Sequence, residues 1–170
     1  DVKVLHCPGS NLKLGSGIAP VPEMRRRGIS VSIGADGRAC KNTLDMFHEM
    51  RLAATLQAMR LGPGALAARD VVAMATREGA RALGLDNEIG SIEPGKKADL
   101  ILVGADDLHQ VPGPDPYARL VFASRASDVR LTMIDGQIVA RDRELTWSDR
   151  AAMARDAVDA TRALIGRAGI

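Results

Sequence analysis

Aromatic side chains are almost missing from this chain: two Phe, one Tyr and one Trp among 170 residues. A folded core must therefore be aliphatic. Cysteine is equally scarce. Cys7 and Cys40 stand too far apart for a metal knuckle, no Cys-x-x-Cys occurs, and a chain of this size does not need the pair as a disulfide, so reduced thiols in a cytoplasmic setting are expected. No stretch approaches the roughly 20 apolar residues that span a bilayer. The opening DVKVLHCPGSN lacks a basic region followed by a long apolar one, so no secretory leader is expected in it. Charge of one sign is also lacking: 23 basic residues face 21 acidic ones, a net +2. The one dense basic cluster, Arg25-Arg26-Arg27, falls where a helix should end and is locally favourable there. Nucleic acid and membrane are thus not expected partners. Neither GSNLKLGSG nor GADGRA fits a phosphate-loop or dinucleotide-binding glycine pattern.

What remains is an ordinary globular composition, 46% hydrophobic and 26% charged. VKVLHCP reads as a strand ended by Pro8. GSNLKLGSGIAP reads as a polar, glycine-rich loop, in which Ser10 and Asn11 suit an Asx-type turn. A short helix is expected from Pro22 to Arg27, stopped by Gly28. ISVSIGA is a second strand, and a long helix runs from about Thr43 to Met59 with Thr43 as its cap. Leu44, Phe47, Met50, Ala54 and Leu61 would form its buried stripe. The order strand, helix, strand, helix favours parallel pairing with right-handed crossovers. A strand beginning at the first residues, with no initiator Met, leads us to expect further sequence upstream, and two strands alone leave open sheet edges.

After GPGAL a further helix is expected from Ala68 to Leu83, with Gly84 as its stop. The pattern then changes. A strand over Ala98–Val103 precedes the polar linker GADDLHQVPGPDPYA. SDVRLTMIDGQIVARDREL follows as a hairpin, with Leu131 and Met133 facing Ile138 and Ala140 across Asp135-Gly136. Ser148 can cap a last helix to about Gly166, with Ala154, Ala157, Val158, Thr161, Leu164 and Ile165 among its apolar positions.

Asp36 lies just past the second strand, at the end of a parallel sheet where ligands bind. An Asp-Gly pair is also the commonest kind of turn, so the local pattern leaves both readings open. His6 ends the first strand and can share that rim, either as a wall residue or as a ligand. His48, His109 and Cys40 are assigned no chemistry.

Taken together, HCPGSNLKLGSGIAPV, GADGRACKNTLDMFHEMRLAA, MATREGARALGLDNEIGSIEPGKKADLILV and MIDGQIVARD resemble the C-terminal part of the metal-dependent amidohydrolases. The branch they look most like is the aminohydrolases that deaminate methylthioadenosine, S-adenosylhomocysteine and related nucleosides. The resemblance implies an α/β fold: strands seven and eight of a (β/α)8 TIM barrel, part of a small flanking β-sandwich, and a C-terminal helix. Residues 1–84 would be barrel, 85–146 sandwich and 147–170 the terminal helix. Asp36 matches the family's strand-eight Asp, which touches the metal or its water and takes the water's proton. His6 matches a strand-seven His that is not a ligand.

The resemblance further implies a hydrolase using one divalent ion, zinc with iron or manganese as alternatives. Most of its ligands would lie on absent strands one, five and six. The 170 residues alone would then be inactive. Expected partners are a small-molecule substrate, the missing N-terminal portion as same chain or companion fragment, and further copies in a homo-oligomer. Ala35 and Cys40 replace the Thr and Ser usual in that branch, which bears on the substrate. Two rivals stand beside this reading: hydrolysis of another C–N or C–Cl bond of a heterocycle, and a non-catalytic scaffold of the same fold.

Overall fold

The computed structural model describes residues 2–169. Strands β1 (Lys3–His6) and β2 (Ser30–Ile33) pair in parallel, with His6 opposite Ile33. Helices α1 (Pro8–Leu14) and α2 (Val21–Arg26) make the crossover between them. The expected glycine-rich loop is thus half helix. Pro8 sits at the first helical position, where its missing N–H costs nothing. Gly15, at φ 68°, closes the other end by donating to the Leu12 carbonyl. The segment lacks an apolar period because the helix is held by burial of its first residues, Pro8, Gly9 and Ser10.

Past β2, a single helical turn, α3 (Arg38–Lys41), leads into α4 (Met46–Leu61). Asp45, not Thr43, caps α4: its carboxylate accepts the Phe47 and His48 N–H groups at 2.9 and 3.2 Å. The later start leaves Leu44 outside the helix and exposed, and Leu61 is exposed at its end, while Phe47, Met50 and Ala54 are buried. The single helix expected over 68–83 is two, α5 (Ala68–Ala75) and α6 (Arg77–Leu83), broken at Thr76 (φ −123°, ψ −96°). The Thr76 hydroxyl donates to the Val72 carbonyl at 2.8 Å, a local bond that competes with regular helix. Helices α2, α5 and α6 pack against β2.

The core is aliphatic, as the composition requires: Val21, Val31, Val71, Met74 and Val121 are inaccessible, with Phe47 the aromatic among the buried cluster. Val121 arrives from a wide helical turn at Arg119–Ala123, preceded by the short α7 (Pro116–Ala118). That turn carries the end of the polar linker into the core.

A second sheet is antiparallel, in the order β3 (Leu100–Val103), β4 (Val129–Ile134), β5 (Gln137–Arg141) and β6 (Glu144–Leu145). Asp135 and Gly136, at φ 49° and 77°, make the primed turn the dipeptide calls for. Met133 faces Ile138 as expected, but a bulge between Thr132 and Met133 places Leu131 opposite Arg141 instead of Ala140. Helix α8 (Arg150–Ala168) is capped by Asp149, whose carboxylate accepts the Ala152 N–H at 2.7 Å; Ser148 is not the cap. No residue of α8 is buried. Among the described residues no helix is long and apolar enough to cross a membrane.

Candidate active site

The parallel ladder runs one step past β2, where the Gly34 N–H donates to the His6 carbonyl at 3.0 Å. The chain then turns outward at Asp36, which adopts the left-handed conformation at φ 58°. Asp tolerates this better than most residues because its short side chain can bond locally. Here Oδ1 accepts the Gly37 N–H at 2.7 Å. Oδ2 is left to accept the Ser10 hydroxyl, also at 2.7 Å, across from the first turn of α1. Ser10 is itself buried. One carboxylate oxygen thus makes the turn, and the other reaches across to the first turn of α1.

The Ser10 hydroxyl first, then the Gly37 N–H, hold the Asp36 carboxyl below the usual carboxylate range, with a smaller contribution from the Cys40 thiol. The side chain stays exposed. An ionised carboxylate thus stands at the common end of two parallel strands, the edge at which such sheets bind ligands. A group of this kind has the chemistry to ligate a cation or to accept a proton near neutral pH. Ser10 and Asn11 lie within α1 and form no Asx turn.

His6 is buried beside this rim, and neither ring nitrogen has a hydrogen-bond partner. Burial lowers its pKa, so the ring is neutral near pH 7. No hydrogen bond joins it to Asp36 among the described residues. Burial raises the pKa of the Cys7 thiol, although the Asp36 N–H opposes this, and Cys7 is a weak nucleophile for that reason. His48 is exposed at the start of α4.

Sequence reasoning missed Glu49. It is fully buried on α4, accepts the Gly9 N–H at 2.9 Å, and pairs with the Lys41 ammonium. Burial lowers the pKa of Lys41. The signal was present: Glu49, Ala53 and Gln57 recur at helical spacing on the buried face, so an acid stood where an apolar residue belongs.

A second cluster lies away from the rim. Ligand atoms of Asp107, His109 and Asp128 fall within 4.8 Å of one another, a spacing that suits a metal. Oδ2 of Asp128, however, already accepts from His109 Nε2 at 2.9 Å, Gln110 Nε2 at 2.8 Å and the Arg125 N–H at 2.8 Å. Burial pushes the pKa of Asp128 up, but these bonds outweigh it and hold the group low. The arrangement ties the linker to the start of β4.

Comparison with known proteins shows the family. Residues 1–139 match the amidohydrolase family, and the chain belongs to it. It is 42% identical over 168 residues to a 5-methylthioadenosine/S-adenosylhomocysteine deaminase of Syntrophomonas wolfei, covering 98% of this chain and 39% of that protein. Among solved structures it superposes with TM-score 0.90 and 41% identity on an adenosine deaminase from Xanthomonas campestris with bound zinc, covering 93% of this chain and 36% of that one. An atrazine chlorohydrolase from Arthrobacter aurescens complexed with zinc gives TM-score 0.84 at 28% identity, covering 93% and 35%. The chain therefore spans less than two-fifths of the length of these relatives.

Proposed function

We propose that this chain is the C-terminal portion of a metal-dependent aminohydrolase that removes ammonia from an adenosine-like nucleoside. The observation that carries the reading is the Asp36 carboxylate, kept ionised by Ser10 and Gly37 at the end of a parallel strand pair. The names of the relatives supply the substrate class. On this reading residues 1–84 belong to a barrel as its strands seven and eight, 85–146 to a composite sandwich, and 147–170 to the terminal helix. The remaining sequence, as same chain or companion fragment, completes the barrel, and the assembly is a homo-oligomer. Two unpaired thiols support a cytoplasmic setting.

Asp36 is the residue of this chain that would hold a divalent ion, with zinc favoured over iron or manganese by the zinc-bound relatives. Its donor chemistry fits: the group is anionic, and its two short hydrogen bonds leave it exposed to an approaching cation. When bound, such an ion would lower the pKa of a water molecule from far above neutral toward about 7. Asp36 would serve as acceptor for the proton of the attacking water and, held by Ser10 and Gly37, would orient that water toward the ring carbon bearing the amine. The other ligands, and the group that protonates departing ammonia, would come from outside these residues.

The test uses the intact protein, loaded with zinc and given 5-methylthioadenosine, S-adenosylhomocysteine and adenosine. Ammonia should be released, lost on chelation, and restored by added zinc. The proposal is falsified if no purine nucleoside yields ammonia. A second reading, cleavage of a C–Cl bond on a triazine, is favoured by the likeness to the atrazine chlorohydrolase. It predicts chloride release from atrazine instead. Failure of both reactions would leave the scaffold reading standing.

A further inference from the structure

We infer that Glu49 is a positioning residue for Asp36, acting through α1 and α3 and not by touching reacting atoms. The inference rests on Asp36 being the functional carboxylate and goes further by naming what holds it in place. Glu49 is inaccessible on α4, the longest helix packed in the core, and it bonds in two directions. One oxygen takes the Gly9 N–H at 2.9 Å, fixing the first turn of α1, where the adjacent Ser10 donates to Asp36. The other takes the ammonium of Lys41, the last residue of α3, which begins two residues after Asp36. Both rim segments therefore hang from one carboxylate, and the 2.7 Å bond between Ser10 and Asp36 spans them.

The side-chain ends of Lys41 and Glu49 lie directly over Gly9, in the space a Cβ there would enter. Stability alone is a poor reason for such a pair, because a buried ion pair seldom outperforms apolar side chains of similar volume. What an apolar pair lacks is direction. It fills the space without dictating where α1 and α3 sit relative to each other.

The test is made on the intact protein with two readouts, zinc affinity by competition with a chromophoric chelator and steady-state kinetics. Partners that orient a ligand typically change affinity or activity by about 10- to 100-fold when removed. Glu49→Leu combined with Lys41→Met removes both buried charges together, which offsets the Gly9 N–H left without an acceptor, so the variant should melt within a few degrees of the wild type. It should nevertheless bind zinc at least about 10-fold more weakly and lose kcat by a similar factor, with KM within about threefold. Glu49→Gln with Lys41→Gln keeps both ties as neutral hydrogen bonds and should recover most of the loss. Wild-type affinity and kcat in the apolar pair would overturn the inference.

Should that pair fail to fold, Ser10→Ala removes the final link without touching the buried charges. It should weaken zinc binding by about 10-fold; an unchanged affinity overturns the inference equally. Asp36→Asn separates the two levels. If that variant binds zinc and turns over normally, the Asp36 reading has failed; if it is inactive while the other variants are normal, only the role of Glu49 has.

Discussion

Asp36 and His6 end neighbouring strands, yet their surroundings give them opposite protonation behaviour. Asp36 is exposed and held anionic by two 2.7 Å hydrogen bonds, so it contributes little to packing. Asp36→Asn in the intact protein should leave the melting temperature almost unchanged while turnover falls by about 10²- to 10⁴-fold, the usual weight of a proton-transfer group. Thermal melting and ammonia release check both halves. His6 is buried with no partner, and burial holds its folded pKa below the ordinary imidazole value of about 6.5. The unfolded chain therefore binds the extra proton first. Stability from this group is present above about pH 6.5 and lost as pH falls below it. His6→Leu should lose less stability than the wild type between about pH 7.5 and 5.5, read as urea midpoints at each pH. Equal losses would mean that the imidazole takes up its proton inside the fold.

At the scale of elements, caps and breaks decide the boundaries. Asp45→Ala removes the acceptor for two N–H groups of α4 and should cost about 0.5–2 kcal/mol in denaturant unfolding. Leu131, the natural choice for a core test from the alternating pattern, is only half-buried and sits beside a bulge. Met74 is inaccessible in the central cluster, and Met74→Ala should cost about 2–5 kcal/mol, well above Leu131→Ala. Parallel β1–β2 pairing, the primed hairpin turn and the glycine stop at Gly84 were legible because each rests on short-range rules of connection or backbone geometry. Helix α1 was not, since a polar, glycine-bearing segment shows no helical period when only its first turn is buried. Likewise Thr43 and Ser148 are sound caps by residue type. Asp45 and Asp149 displaced them because the helices begin where the buried face begins in one case and the connecting turn ends in the other.

For the whole molecule, the uncovered surfaces matter most. Helix α8 shows Met153, Val158, Leu164 and Ile165 to solvent, and β1 shows Leu5. In the 170-residue chain, Val158→Asp should shift the melting temperature by no more than about 1 °C, because that side chain is exposed on a helix with no buried residue. The same chain should also associate with rising concentration, measured by light scattering, since exposed apolar surface and unpaired strand edges both favour contact. A dispersed monomer at high concentration would contradict this.

The sequence by itself determined the aliphatic core, the parallel strand pair and the later hairpin, the family, and Asp36 as the residue to watch. Each of these is written in residue type, period or motif, which survive without coordinates. Only the tertiary structure decided that Ser10 reaches Asp36, that His6 is left without a partner, and that Glu49 binds Gly9 and Lys41 beneath the rim. Those contacts join residues far apart in the chain. Their distances follow from how α1, α3 and α4 pack, which no local pattern encodes.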